Sequence, residues 1–150
     1  MDSQIKKIHQ QLVSKQITCT ALVQEKLGLL KQNTYNSVNS LLDTLALDLA
    51  AKVDAKIANG ETIGLLEGIP FGIKDVYMVQ GTYTTASSEL LKNYKSPYTA
   101  TAIQKLLDAG AIPLVKENCD SFGHGSSSEN TIFGAVKNAI NPELVGGGSS

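Results

Sequence analysis

Lys74 lies in the run Gly-Ile-Pro-Phe-Gly-Ile-Lys-Asp at residues 68–75, an apolar stretch in which a lysine is out of character. An amine can take a proton only when it is neutral, and burial favours that form by desolvating the charged one. A base for acyl transfer is one reading of Lys74, and a strand-end lysine paired with Asp75 at the surface is the other. Ser126, Ser127 and Ser128 follow Gly123, His124 and Gly125 and precede Glu129 and Asn130. Such a loop offers backbone N–H groups and hydroxyls to a small polar substrate, and it is also what an ordinary turn looks like. His124 could serve as a base or a ligand, but His9 is the only other histidine and belongs to a distant segment. Gly146, Gly147 and Gly148 then lead into Ser149 and Ser150. Glycines let a backbone approach a ligand closely, but the Lys-Ser/Thr that completes a Walker loop does not follow. A flexible Gly/Ser tail and the first half of a catalytic turn both remain open for this run.

The elements that must position these residues divide at about residue 60. Residues 1–59 read as helix: Ile5, Ile8 and Leu12 behind Ser3, then Leu22, Val23, Leu27 and Leu30 after Thr18, then Leu41, Leu42, Leu45, Leu49 and Val53. Asn59 and Gly60 suit a left-handed helix end. Short apolar runs punctuated by glycine follow, and 69–76 and 111–115 read as buried strands. Between them Thr99 can cap a helix carrying Ala102, Ile103, Leu106 and Leu107, which Gly110 ends. Strand, crossover helix and parallel strand make an α/β unit. The expected organisation is therefore an N-terminal helical layer over 1–60 and, over 61–150, the start of an α/β core. Two parallel strands buried on both faces need neighbours, so the sheet is expected to be incomplete.

Composition narrows the function classes. A net charge of −1 with 42% hydrophobic and 18% charged residues describes a globular chain without a basic nucleic-acid face. All 13 cationic side chains are lysines, so no guanidinium fork is available for a carboxylate or phosphate. Cys19 and Cys119 lie 100 residues apart and show no metal-binding spacing, which favours two free, buried thiols in a reducing compartment. The start Met-Asp-Ser-Gln-Ile-Lys-Lys has no apolar core after its lysines, and no run approaches the ~18–20 apolar residues of a membrane span. The expected location is cytoplasmic, with no membrane partner.

Order and spacing link the weak signals. The glycine-flanked Lys74, the loop at 125–130, the turn at 138–142 and the final Gly-Gly-Ser-Ser resemble the amidase signature family. Leu65 and the Glu-Gly-Ile-Pro at 67–70 lead into the lysine strand, and Ile17 to Leu27 is similar to the opening helices of the family. The stretch Lys-Glu-Asn-Cys-Asp-Ser-Phe at 116–122, through Ser128, Glu129 and Asn130, resembles the A subunits of tRNA-dependent amidotransferases in particular. His124 stands where those subunits usually carry methionine, Ser121 replaces an acidic residue, and Gly146 takes a place commonly held by proline.

The resemblance implies a fold, a site and a reaction. The fold would be the amidase-signature α/β fold, a mixed sheet covered by helices. The site would be a Ser-Ser-Lys triad with Lys74 as base, Ser149 as the bridging serine behind a cis peptide from Gly148, and a nucleophilic serine beyond Ser150. His124, Gly125 and Ser126 would border the substrate. The reaction would be glutamine hydrolysis, with ammonia passed to a B subunit that uses ATP and magnesium to amidate Glu-tRNA or Asp-tRNA, and a C subunit joining the two. No cofactor is expected in this chain itself, and without the nucleophile these 150 residues are expected to be inactive. The competing expectations are another amide hydrolase of the same family and a non-catalytic fragment that docks to a partner.

Overall fold

The computed structural model describes residues 3–150. Met1 and Asp2, on which the reading of the N-terminal start partly rests, lie outside the described residues. In chain order the elements are α1 (Gln4–Val13), α2 (Cys19–Lys31), β1 (Val38–Leu41), α3 (Asp43–Ala58), β2 (Pro70–Lys74), α4 (Thr101–Asp108) and β3 (Ile112–Glu117). Short 3-10 turns occupy Glu89–Leu91 and Ser121–Gly123.

The strands form a mixed sheet in the order β1-β3-β2. β2 runs parallel to β3, with Phe71 opposite Pro113 and Lys74 opposite Glu117, as a strand, helix and strand crossover requires. Strand β3 is central and buried from Ile112 to Lys116, the apolar signature of a strand covered on both faces. Leu12, Val23, Leu27, Ala46, Ala50 and Val53 pack with Ile112, Leu114 and Val115, bringing the early helices onto the sheet. Ile103 of α4 packs with Leu42, Ile73 and Val79 in a second, smaller cluster. The architecture is α/β with a partial sheet, as expected from the sequence.

Helix ends explain how α2 is held. Thr18 accepts a hydrogen bond from Ala21 N–H at 3.1 Å, and the Asp54 carboxylate from α3 accepts from Cys19 N–H at 2.6 Å and Thr20 N–H at 2.9 Å. Orphan donors of the first turn are thereby satisfied and a negative charge meets the positive end of the helix dipole. At Gly68, φ is +83°, and a Cβ there would lie 2.9 Å from Leu12 Cδ1 and 3.2 Å from Cys19 Sγ. Glycine is required at the entry to the lysine strand by conformation and by space.

Several local expectations are corrected. Residues 38–41 are not part of the third helix but form β1, which pairs antiparallel with β3 through Ser40 opposite Lys116 and Leu41 opposite Val115. Leu41 is therefore a strand residue, and buried Leu42 precedes α3, its N–H bonded to Leu114 O at 2.9 Å. The free edge of β3 supplies the pairing that wins over helical periodicity, a contact across more than 70 residues. Ser3 stands at the N-cap of α1 without a side-chain bond. Ala100, not Thr99, stands at the N-cap of α4, and Thr99 Oγ1 instead accepts from Gln80 N–H at 3.0 Å.

Candidate active site

Lys74 is the last residue of β2, where the strand leaves the sheet and its side chain can reach a neighbouring loop. Its Nζ donates to Ser149 Oγ, a contact between residues 75 apart in sequence. The peptide from Gly148 to Ser149 is cis. A side chain at Gly123, where φ is +72°, would stand 3.7 Å from Lys74 Nζ, so the 121–123 turn passes close over the amine. Lys74 is half-buried, not fully buried.

The glycine turn is tied to the serine loop. Gly148 N–H donates to Ser126 O at 2.7 Å, Ser128 Oγ donates to Gly147 O at 2.8 Å, and Asp120 N–H donates to Ser149 O at 3.1 Å. Gly146 N–H donates to Val136 O at 2.8 Å, so the run at 146–149 is an ordered turn rather than a loose tail. Ser126 thus meets the turn through its backbone, and Gly125 lies against the Asp120 carboxylate. His124 is exposed, its Nδ1 lying 3.1 Å from Phe122 O, and it has no hydrogen bond to Lys74 or Ser149.

Asp75 does not pair with Lys74. It is buried and forms an ion pair with Lys116 of β3, the Nζ lying 3.0 Å from Asp75 Oδ1 with both side chains almost wholly shielded. Lys116 Nζ also donates to Tyr77 O at 2.6 Å and Thr84 Oγ1 at 3.0 Å. Asp75 Oδ2 accepts from Thr85 Oγ1 at 2.5 Å and Asn39 Nδ2 at 2.9 Å. Burial pushes the Lys116 amine down, and the Asp75 carboxylate opposes that shift. The network continues through Ser87 Oγ, which donates to Asn118 Oδ1 at 3.0 Å and accepts from Cys119 N–H at 3.2 Å. This buried polar layer lies directly behind the catalytic candidates and holds the loop that follows Lys74. Sequence reasoning missed Lys116 as a buried member of an ion pair, although it sits in Ala-Ile-Pro-Leu-Val-Lys, the same apolar pattern that drew attention to Lys74.

Both cysteines are free and buried. The Cys19 thiol is pushed up to about 12, first by burial and then by the nearby Asp54 carboxylate, which makes it a packing residue. Among the described residues no group of His, Cys, Asp and Glu could hold a metal ion, and no helix is long and apolar enough to cross a membrane.

A lysine hydrogen-bonded to a serine, on a glycine turn braced by a serine loop, is chemically able to pass a proton to and from a neighbouring group. The amidase family model matches residues 20–150. The chain belongs to the amidase signature family. This amidase-signature chain is 45% identical over 148 residues to the A subunit of the glutamyl-tRNA(Gln) amidotransferase of Nostoc punctiforme, covering 97% of this chain and 30% of that one. A solved bacterial aryl acylamidase of the same family superposes with a TM-score of 0.89 at 26% identity, over 99% of this chain and 31% of that enzyme. The solved A subunit of the Thermotoga maritima glutamyl-tRNA(Gln) amidotransferase gives 0.56 at 41% identity, over 60% of this chain and 20% of that one. The chain thus spans about three-tenths of the length of the curated Nostoc relative.

Proposed function

We propose that this chain is the N-terminal part of the glutaminase subunit of a tRNA-dependent amidotransferase, and that Lys74 and Ser149 are two members of its Ser-Ser-Lys triad. The observation that carries the reading is the Lys74 Nζ to Ser149 Oγ contact, in a chain of which 97% aligns at 45% identity with the Nostoc amidotransferase relative.

In the complete protein a serine beyond Ser150 attacks the side-chain amide carbonyl of glutamine. Its proton passes through the Ser149 hydroxyl to Lys74, which then returns a proton to the leaving nitrogen, so ammonia departs and a glutamyl ester remains. Water attacks that ester, with the same relay acting as base, and glutamate is released. The Gly146 and Gly148 N–H groups already bond to Val136 O and Ser126 O, so the oxyanion donors of this reading are other backbone N–H groups beside the nucleophilic serine. In this reading Gly125, Ser126 and His124 border the substrate, a role supported by the Gly148 N–H bond to Ser126 O and by the exposure of His124. The ammonia then goes to a B subunit that uses ATP and magnesium to activate Glu-tRNA or Asp-tRNA, a C subunit completing the assembly.

The second reading is a free amide hydrolase of the same family, favoured by the superposition on the aryl acylamidase. Ammonia release from glutamine by the complete protein, with and without its partner subunits, separates the two. The amidotransferase reading expects glutamine to be the preferred amide and partner subunits to raise turnover. Partner-independent hydrolysis of aryl amides with no glutaminase activity refutes it. Lys74→Ala and Ser149→Ala are each expected to lower turnover by at least the ~10²–10⁴-fold of general acid–base catalysis while leaving the circular dichroism spectrum unchanged.

A further inference from the structure

Among the buried groups that this chemistry does not use, Asp120 touches both glycine-rich segments. Its side chain is 1% exposed. Asp120 Oδ2 accepts from Ser128 N–H at 3.0 Å and Oδ1 from Asn130 N–H at 3.3 Å, while its own N–H donates to Ser149 O at 3.1 Å. A Cβ built on Gly148 would lie 2.3 Å from Asp120 Oδ2, and one built on Gly125 2.3 Å from Asp120 Cγ. Both glycines therefore lie flat against one carboxyl group, and any larger residue would displace it. The Ser128 Oγ to Gly147 O bond closes the junction from the other side. Asp120 joins no ion pair among the described residues.

A buried carboxyl group without a cation is costly unless its oxygens are used. Here they are used on backbone donors of the serine loop, while the same residue's backbone holds the carbonyl of Ser149. A carboxylate accepts at both oxygens, whereas asparagine turns an NH₂ group toward one of the donors. The chemistry therefore calls for aspartate at this place rather than for any small polar cap.

We propose that Asp120 is a positioning residue that holds Ser149 against Lys74: its backbone N–H holds the Ser149 carbonyl, while its buried carboxyl group fixes the adjoining 125–130 loop through the N–H groups of Ser128 and Asn130. This rests on the reading of Lys74 and Ser149 as catalytic. Ser128 acts at the same junction, its hydroxyl holding the carbonyl of Gly147.

The test uses the complete protein with its partner subunits, carrying Asp120→Asn or Ser128→Ala, with ammonia release measured well below each variant's melting temperature. Asp120→Asn is expected to lower kcat on the order of 10²-fold, the loss that follows a misplacement of about 1 Å, with KM for glutamine changed by less than about threefold. Ser128→Ala removes one hydrogen bond and is expected to lower kcat by roughly fivefold, again with KM little changed. A kcat within about twofold of wild type in either variant overturns the proposal, as does a rise in KM alone, which would make the junction a substrate clamp. Should Asp120→Asn fail to fold, Ser128→Ala decides by itself. A second readout is the rate at which acetic anhydride modifies Lys74, followed by mass spectrometry against the exposed lysines. In both variants Lys74 is expected to react several-fold faster, because its bond to Ser149 is loosened. If the unsubstituted protein releases no ammonia, the triad assignment has failed, and the Lys74 labelling rate still judges Asp120: an unchanged rate in Asp120→Asn refutes its role.

Discussion

Replacing Lys116 by methionine tests the buried layer behind the site. The Lys116 and Asp75 side chains are 0% and 1% exposed, so water neither screens their attraction nor solvates a charge left alone. Lys116→Met keeps most of the aliphatic side chain but removes the ammonium group that pairs with Asp75 Oδ1, a buried oxygen with no hydrogen-bond partner among the described residues beyond that ion pair. It also strips Tyr77 O and Thr84 Oγ1 of a charged donor. Breaking one side of a fully buried ion pair costs about 3–5 kcal/mol, a large fraction of a domain's ~5–15 kcal/mol. The expected result in equilibrium urea unfolding of the complete protein is a loss of that size, read from the shift in midpoint at constant slope. The double variant Lys116→Met with Asp75→Asn removes the stranded charge yet leaves an oxygen for Thr85 and Asn39. It is expected to recover a substantial part of the loss, giving a coupling of about 1 kcal/mol or more. A single-variant cost below about 1 kcal/mol, or a double variant no better than the single one, refutes the reasoning. Either outcome would mean that the site relaxes or admits water.

Gly68→Ala is expected to destabilise by about 1–3 kcal/mol, because φ is +83° and the new methyl meets Leu12, which is itself fully buried; an unchanged melting temperature would contradict this. Native protein at pH 8 is expected to leave Cys19 unalkylated by iodoacetamide, with labelling only on unfolding, and fast native labelling would show that the thiol is not shielded as the structure has it. The same raised pKa sets a pH dependence. The folded state keeps the Cys19 proton up to about 12 whereas the unfolded thiol releases it near its ordinary value, so this contribution is complete below the unfolded value and is lost as pH rises toward 12. Comparing alkaline unfolding of wild type and Cys19→Ala checks the sign: the variant is expected to lose stability less steeply between about pH 9 and 12.

Much of the site was legible because its chemistry is local. Lys74 is conspicuous as a charge at the end of an apolar strand, and the glycines beside Ser149 and Ser126 mark the turns that carry them. The cis peptide came with the family resemblance, not with any property of Gly148 and Ser149 read in isolation. The crossover from β2 through α4 to β3 was legible for the same reason, since helical and strand periods are carried by neighbours a few residues apart. Strand β1 was not, because Val-Asn-Ser-Leu owes its conformation to the free edge of β3.

The sequence alone determined the β2–α4–β3 crossover, drew attention to Lys74 and Ser149, and through the order of its motifs determined the family. Only the tertiary structure decided which groups meet. Asp75 turned away from its neighbour Lys74 toward Lys116, because a buried carboxylate takes the cation that shares its desolvated space rather than the one beside it in the chain. Asp120 found its donors in Ser128 and Asn130, and Ser149 met Lys74 in a contact across 75 residues that no local pattern encodes.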